Sequence, residues 1–222
     1  MRRLSRSTDT RSTSSACSFD PARDGFGFAN PSGSSGGRLG SLLYGRGLCF
    51  GMSAASLAAF CGVERRWLRP LSRLSPDPAL IGDLRRYHLL QFRPRTVLRV
   101  VRGWVRTRGG RPERVAGRIR VAGDPDPHIL CFGPRAGRGF FGRLALAHAV
   151  VPYRLEEAEG ELLVYVYDPE FPKDRKRKIV FRRTGGESFG RFRYGRFDSR
   201  EGWGIVPLPL SSALTCTLRP EL

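Results

Sequence analysis

No stretch of the 222 residues approaches the roughly 18 consecutive apolar residues that a membrane span requires. The first thirty residues also lack the apolar segment of about 7–15 residues that marks a secretory signal, so the sequence predicts a cytoplasmic protein. Cysteine is sparse: Cys17, Cys49, Cys61, Cys131 and Cys216 are widely spaced, and no C-x-x-C pair occurs. That spacing excludes the usual structural zinc site and a disulfide framework, and no metal or cofactor is expected. Lysine is nearly missing. Lys173, Lys176 and Lys178 are three of 39 basic residues, and all the others are arginine. Acidic residues number only 20, which leaves a net charge of +19. An excess of this size reads either as a compositional bias spread over a solvated surface or as a match to an anionic partner such as nucleic acid or a membrane surface. The arginines are scattered along the chain, which favours the first reading.

The remaining composition suits a folded domain. Apolar residues make up 40%, and the length allows one domain with a sizeable core. Residues 1–24 are rich in Ser, Thr and Arg and read as a disordered tail. Residues 25–47 are glycine-rich and read as loop. A small, apolar helix is predicted from about Cys49 to Phe60, ended by Gly62. A second is predicted in "DPALIGDLRRYHLLQFRPR", where Leu80, Leu84, Tyr87 and Leu90 recur at helical spacing behind an Asp77-Pro78 cap. "RTVLRVVRGWVRT" fits helix or strand. The later half reads as short strands: "HILCFGP", "LALAHAVVPYRL", "ELLVYVYDP", "KIVFRR", "FGRFRYGRF" and "GWGIVPLPL". Helices first and a mostly antiparallel sheet after them give an α+β fold.

Within this layout Cys49 is conspicuous. It stands between glycines, in "GRGLCFGMSAASLAAF", at the predicted start of a helix. A helix N-terminus favours a thiolate, and thiol pKa values near 8.5 fall to about 3.5–7.5 in such surroundings. Treating "EEAEG" (156–160) as a hairpin loop pairs Leu155 with Glu161 and places His148 directly opposite Asp168 on one sheet face. The carboxylate then holds the imidazole. A one-residue slip removes the pairing. A thiol, an imidazole and an orienting carboxylate are the parts of a nucleophilic cysteine site. The bland alternatives are a buried structural thiol, a hydrogen-bonded core histidine and an Asp that caps the Asp-Pro turn. His88 reads as a surface helix residue, and His128, in "DPDPHI", as a loop residue.

"GLCFGMSAASLAAF" at Cys49, "HAVVPY" at His148 and "VYDPEFP" at Asp168 together resemble a bacterial group of papain-like cysteine peptidases. That group shows a C-[FG]-G-M segment opening a helix, a His-x-V-x-x-Y strand and a Y-D-P-N-x-P strand end, in this order. The resemblance covers roughly Gly25 to Leu210, with about thirty specific residues. It implies a papain-like domain over residues 25–222, with Cys49 as nucleophile, His148 as base and Asp168 as the orienting residue. The substrate would be a peptide or protein, and the reaction hydrolysis or a related acyl transfer. Glu170 departs from the pattern, which has Asn there. Papain-like sites supply an oxyanion donor from upstream, often a Gln six residues before the cysteine, where this chain has Leu43. Asn30, in "GFGFANP", is the only amide in the preceding loop and resembles an F-x-N element of the same group, so it is the oxyanion candidate.

A competing reading rests on the basic segment. From Lys173 to Trp203 the chain carries eleven basic and four acidic residues, interleaved with aromatics. Such a segment, over about residues 173–200, suits weak polyanion binding. An inactive papain-like scaffold acting as a basic binding module is therefore the alternative function. The plainer reading of the same residues is a sheet with Phe inward and Arg outward.

Overall fold

The structure, a computed structural model, describes residues 18–31, 47–67, 70–106, 112–134, 146–183 and 189–214. Helices α1 (Pro21–Asp24), α2 (Cys49–Phe60), α3 (Pro78–Leu89), α4 (Pro94–Arg106) and α5 (Pro112–Ala116) precede the sheet, and α6 (Leu210–Leu214) follows it. The strands are β1 (His128–Pro134), β2 (His148–Ala158), β3 (Glu161–Tyr167), β4 (Lys178–Arg183), β5 (Phe189–Tyr194), β6 (Phe197–Asp198) and β7 (Trp203–Pro209). They form one antiparallel sheet in the order β6-β5-β4-β3-β2-β1-β7. The outer strands meet where Phe197 stands edge-to-face against Trp203, ring centroids 4.8 Å apart. The sheet is therefore nearly closed, and the fold is α+β.

Most of the central strands are covered on both faces, which is why "HILCFGP" and "HAVV" read as unbroken apolar runs. Leu130, Phe132, Val150, Val164, Val166, Phe181 and Ile205 fill the inside of the curled sheet. On the other face Ile129, Ala149, Val151, Tyr167 and Leu208 pack against Phe50, Ala54 and Leu57 of α2 and against Val100 and Trp104 of α4. The ambiguous segment before β1 is helix α4. Thr96, Val100 and Trp104 recur every four residues and are buried, and the Trp104 indole N–H donates to the Cys131 carbonyl at 3.0 Å.

Helix α2 is buried from Phe50 to Ala58 between the sheet and α3. Gly51 makes that possible. A Cβ there would lie 2.3 Å from the Leu84 carbonyl oxygen on α3. Gly51→Ala thus sets two effects against each other. Helix propensity favours alanine by about 1 kcal/mol. Forcing two packed backbones apart costs about 1–3 kcal/mol. The contact wins, because backbone cannot rotate out of the way. Thermal unfolding of the Gly51→Ala protein should show a net loss of about 1–2 kcal/mol; an unchanged or raised midpoint would contradict this packing.

Several sequence expectations are corrected. The tail boundary at residue 24 lies too far along the chain. Phe19 is buried in the core, residues 21–24 are helical, and Arg175 clasps Asp20 at 2.7 Å. Residues 1–17 of that tail, and 32–46 of the glycine-rich loop with Leu43, lie outside the described residues. His88 is buried, not on the surface, with Nε2 2.6 Å from the Gln91 amide nitrogen. His128 opens β1 and accepts the Arg120 backbone N–H at 3.2 Å through Nδ1.

The hairpin between β2 and β3 is also tighter than "EEAEG". Ala158 pairs with Glu161, and Glu159 and Gly160 form a two-residue turn with φ of 44° and 81°. Carried straight along the strands, this register would put His148 and Asp168 on opposite faces. A bulge between Pro152 and Arg154 shifts the pairing by one, so that Val151 faces Tyr167. The shift returns His148 and Asp168 to one face, as diagonal rather than direct partners.

Candidate active site

Cys49 is the first residue of α2 and is half-buried. The helix start has no acidic residue in its first turn and no capping side chain on Leu48. Its unpaired N–H groups and dipole therefore act on the thiol without an internal anion to offset them. Ser53, one turn on, donates to the Ala149 carbonyl at 3.0 Å. That bond pins the helix to β2 beside His148.

His148 begins β2 and Asp168 directly follows β3, so both stand at the same end of the sheet. Both are buried, at 4% and 1% exposure. His148 Nε2 lies 2.8 Å from Asp168 Oδ1. The imidazole stacks parallel on Phe197 with ring centroids 5.9 Å apart. Asp168 Oδ1 also accepts the Glu170 backbone N–H at 2.8 Å, and Oδ2 accepts the Tyr194 hydroxyl. Asp168 thus caps the Asp-Pro turn and holds the imidazole at once. With Nε2 taken, Nδ1 is the remaining ring nitrogen, and Cys49 is among the groups that raise the imidazole pKa.

The electrostatics follow from these contacts. Burial opposes a charge on His148, but the Asp168 hydrogen bond and Cys49 outweigh it, and the imidazole pKa is pushed up to about 10. Burial would raise the Asp168 carboxyl. His148, then Tyr194 and the Glu170 N–H, overcome this and hold it below the usual carboxylate range. The Tyr194 hydroxyl is pushed far above its ordinary value by burial and by Asp168. Cys131 is buried in the core and pushed well up by burial, and Cys61 is raised by burial and by Asp126.

A stability prediction follows with a defined sign. The raised His148 pKa contributes stability that is complete below about pH 6.5 and is lost as pH rises towards about 10. The lowered Asp168 pKa contributes stability present above about pH 4 and lost on acidification. Urea unfolding of the His148→Gln protein should therefore differ most from wild type between those limits, and the two curves should converge towards pH 10. A difference that stays constant from pH 6 to pH 10 would show that the imidazole charge is not coupled to folding.

Asn30 meets the chain at Leu48, the residue before Cys49. Its backbone N–H donates to the Pro169 carbonyl at 2.7 Å, which ties the segment to the end of β3. Its side-chain Oδ1 accepts the Leu48 N–H at 2.6 Å. Accepting that N–H fixes the amide orientation and leaves Nδ2 as the free donor end next to the start of α2. Gly47 allows this approach: a Cβ there would lie 2.2 Å from Asn30 Nδ2, and its φ is +156°. The glycine before Leu48-Cys49 thus makes room for an amide.

Comparisons with protein-family models, curated proteins and solved structures give no match. The chemistry is therefore read from the residues alone. His148 and Asp168 are hydrogen-bonded, Cys49 is among the groups that act on the imidazole, and Asn30 is bonded to Leu48, the residue before Cys49. His88 and His128 serve the core and a strand start. Tyr194 is the contact that sequence reasoning missed. Its inward alternation with Phe192 on β5 was visible, and a buried tyrosine hydroxyl needs a partner. Glu170 is partly exposed, with its carboxylate 3.8 Å from His148 Nδ1. His148, Asp168 and Glu170 bring three ligand atoms within 4.8 Å of one another, the spacing of a cation site. Asp168 already accepts three hydrogen bonds, so an ion there has to displace them; the donor set suits a buried ion pair better.

In the basic segment the arginines mostly meet carboxylates or rings. Arg182 pairs with Glu161 at 2.7 Å, Arg183 with Glu157 at 3.1 Å and Arg191 with Asp198. Arg177 stacks over Phe171 at 3.3 Å. Phe192 and Tyr194 are buried and Arg193 between them is exposed.

Proposed function

We propose that the chain is a thiol hydrolase or related amide acyl transferase of papain-like design, with Cys49 as nucleophile. The observation that carries this reading is the placement of one imidazole: His148 is held by buried Asp168 through Nε2 at 2.8 Å, and Cys49, at the start of α2, is among the groups that act on the same ring. In the proposed reaction His148, whose raised pKa favours the imidazolium, carries the thiol proton on Nδ1 as Sγ attacks a carbonyl carbon. The oxyanion that forms is met by the Cys49 backbone N–H, which has no intrahelical acceptor, and by Asn30 Nδ2. Collapse of the intermediate breaks the bond to the leaving group, which takes the proton from His148 and leaves a thioester on Cys49. Water or an amine then attacks the thioester, with His148 as base, and the free thiol returns. Asp168 and Tyr194 hold the ring in place through both halves.

The test is acylation by an activated ester such as p-nitrophenyl acetate. Intact-mass analysis should find one acetyl group on Cys49, removable by neutral hydroxylamine as a thioester. Asn30→Ala should slow acylation by about 10²-fold or more, the usual loss for one oxyanion donor. Gly47→Ala, which displaces the same amide, should show a similar loss. Acetylation confined to lysines, or spread evenly over the cysteines, would sink this reading.

A further inference from the structure

The corner between α3 and α4 has a composition that the proposed chemistry does not use. From residue 84 to residue 112 the chain contains no acidic residue and nine arginines. Within the same stretch Leu89, Phe92, Val97 and Leu98 are among the most exposed large apolar side chains of the described residues, at 38–50% exposure. The two features share one surface. On α4, Arg95, Leu98, Arg99 and Arg102 fall on one helix face, opposite the buried Thr96, Val100 and Trp104. Leu89 and Phe92 protrude at the turn that leads into it. Among the described residues none of Arg93, Arg95, Arg99 and Arg102 faces a carboxylate, in contrast to Arg182, Arg183 and Arg191 on the sheet. Arg99 instead donates to the Ser212 hydroxyl at 2.8 Å.

Exposed aliphatic side chains flanked by unpaired arginines have a specific complement. Phosphates attract the guanidinium groups, and an acyl layer beneath them takes up the apolar side chains. A nucleic acid satisfies the charge but gives no burial to Leu89 and Leu98, which cannot stack on bases. We infer that the α3–α4 corner docks this protein peripherally on a bilayer surface rich in anionic lipid, with Phe92 and Leu98 inserted at the headgroup boundary and Arg95, Arg99 and Arg102 on the phosphates. The inference is independent of the chemistry at Cys49.

Co-sedimentation of the full chain with vesicles tests it. One set is phosphatidylcholine alone; the other contains roughly a third phosphatidylserine. Wild type should partition to the anionic vesicles at least about tenfold more strongly, and added salt should weaken this. Each arginine near such a surface is worth about fivefold, so Arg95→Gln/Arg99→Gln/Arg102→Gln should lower partitioning by about 10²-fold. Phe92→Ser/Leu98→Ser should lower it by about tenfold while leaving retention on single-stranded DNA unchanged. All these positions are exposed, and Phe92→Trp gives a second readout that does not depend on loss of binding. Its emission should shift to the blue with anionic vesicles and be quenched by lipids brominated in the acyl chain. Equal partitioning to both vesicle types, or an unshifted Phe92→Trp emission, would overturn the inference. Full vesicle binding by the Phe92→Ser/Leu98→Ser protein would overturn it in favour of a simple polyanion site.

Discussion

Asp168→Asn should lower acyl transfer at Cys49 by about 10⁴-fold, the scale of loss when the orienting carboxylate of a catalytic triad becomes an amide. The reason is directional. Asp168 accepts from His148 Nε2, from the Glu170 N–H and from the Tyr194 hydroxyl. An amide offers one acceptor oxygen and two donor hydrogens, so at least one contact reverses. If the amide nitrogen faces Nε2, the ring takes the opposite tautomer and presents a proton, not a lone pair, to the thiol. Asp168→Ala is more severe for the fold. It strands a buried imidazole and a buried tyrosine hydroxyl, and removing one partner of a buried pair costs about 3–5 kcal/mol. Comparing the two variants separates chemistry from stability: Asn should keep most of the fold and lose the rate, and Ala should lose both. Glu170→Gln is the matched control. Its carboxylate is exposed and lies 3.8 Å from His148 Nδ1, beyond hydrogen-bond length, so the rate should change by less than about tenfold. A fully active Asp168→Asn protein would show that the imidazole needs no orientation.

Cys49→Ala and His148→Ala should each reduce acylation to near background, about 10⁶-fold in comparable nucleophile–base pairs, and the double variant should lose no more than either single one. Non-additivity is the signature of groups that act as a unit. Independent roles would instead multiply the two losses. The basic segment supplies the contrast. Lys176→Gln/Arg177→Gln/Lys178→Gln should leave acylation by a small neutral ester unchanged and weaken any retention on polyanions. Salt should do the same, because exposed charges are screened and the buried His148–Asp168 pair is screened much less. The reverse pattern, with no acylation and tight polyanion binding, would make the inactive basic scaffold the better account.

The α+β arrangement was legible because the local signals agreed with the packing. Asp77 caps α3 by accepting the Leu80 N–H at 2.8 Å, and the apolar runs became strands buried on both faces. What the sequence hid was mostly geometry set at a distance. The His148–Asp168 pairing was expected from a five-residue loop. The contact survives because two departures compensate: the turn has two residues, and the bulge at Tyr153 restores the face. Neither is written in the alternation of "HAVVPYRL". His88 looked exposed between Arg86 and Gln91, because its burial depends on α2 lying one glycine away. Phe19 looked like part of a polar tail, because a single aromatic among serines carries no periodicity. Asn30 was visible as the one amide in its loop, but its seat beside Cys49 required the hydrogen bond to Leu48 and the missing Cβ at Gly47. Tyr194 was read only as an inward ring; its hydroxyl found Asp168 through the closure of the sheet.

The most direct test of the central claim is the rate of iodoacetamide labelling at each cysteine of the native protein near about pH 6, for wild type and for His148→Ala. Cys131 is buried and Cys61 has no imidazole beside it, so neither should compete. The predicted result is that Cys49 is modified first, by about tenfold or more over Cys61, and that His148→Ala abolishes this advantage. Equal labelling of Cys49 and Cys61 in wild type, with no change in His148→Ala, would contradict the account and leave Cys49 an ordinary thiol at a helix start.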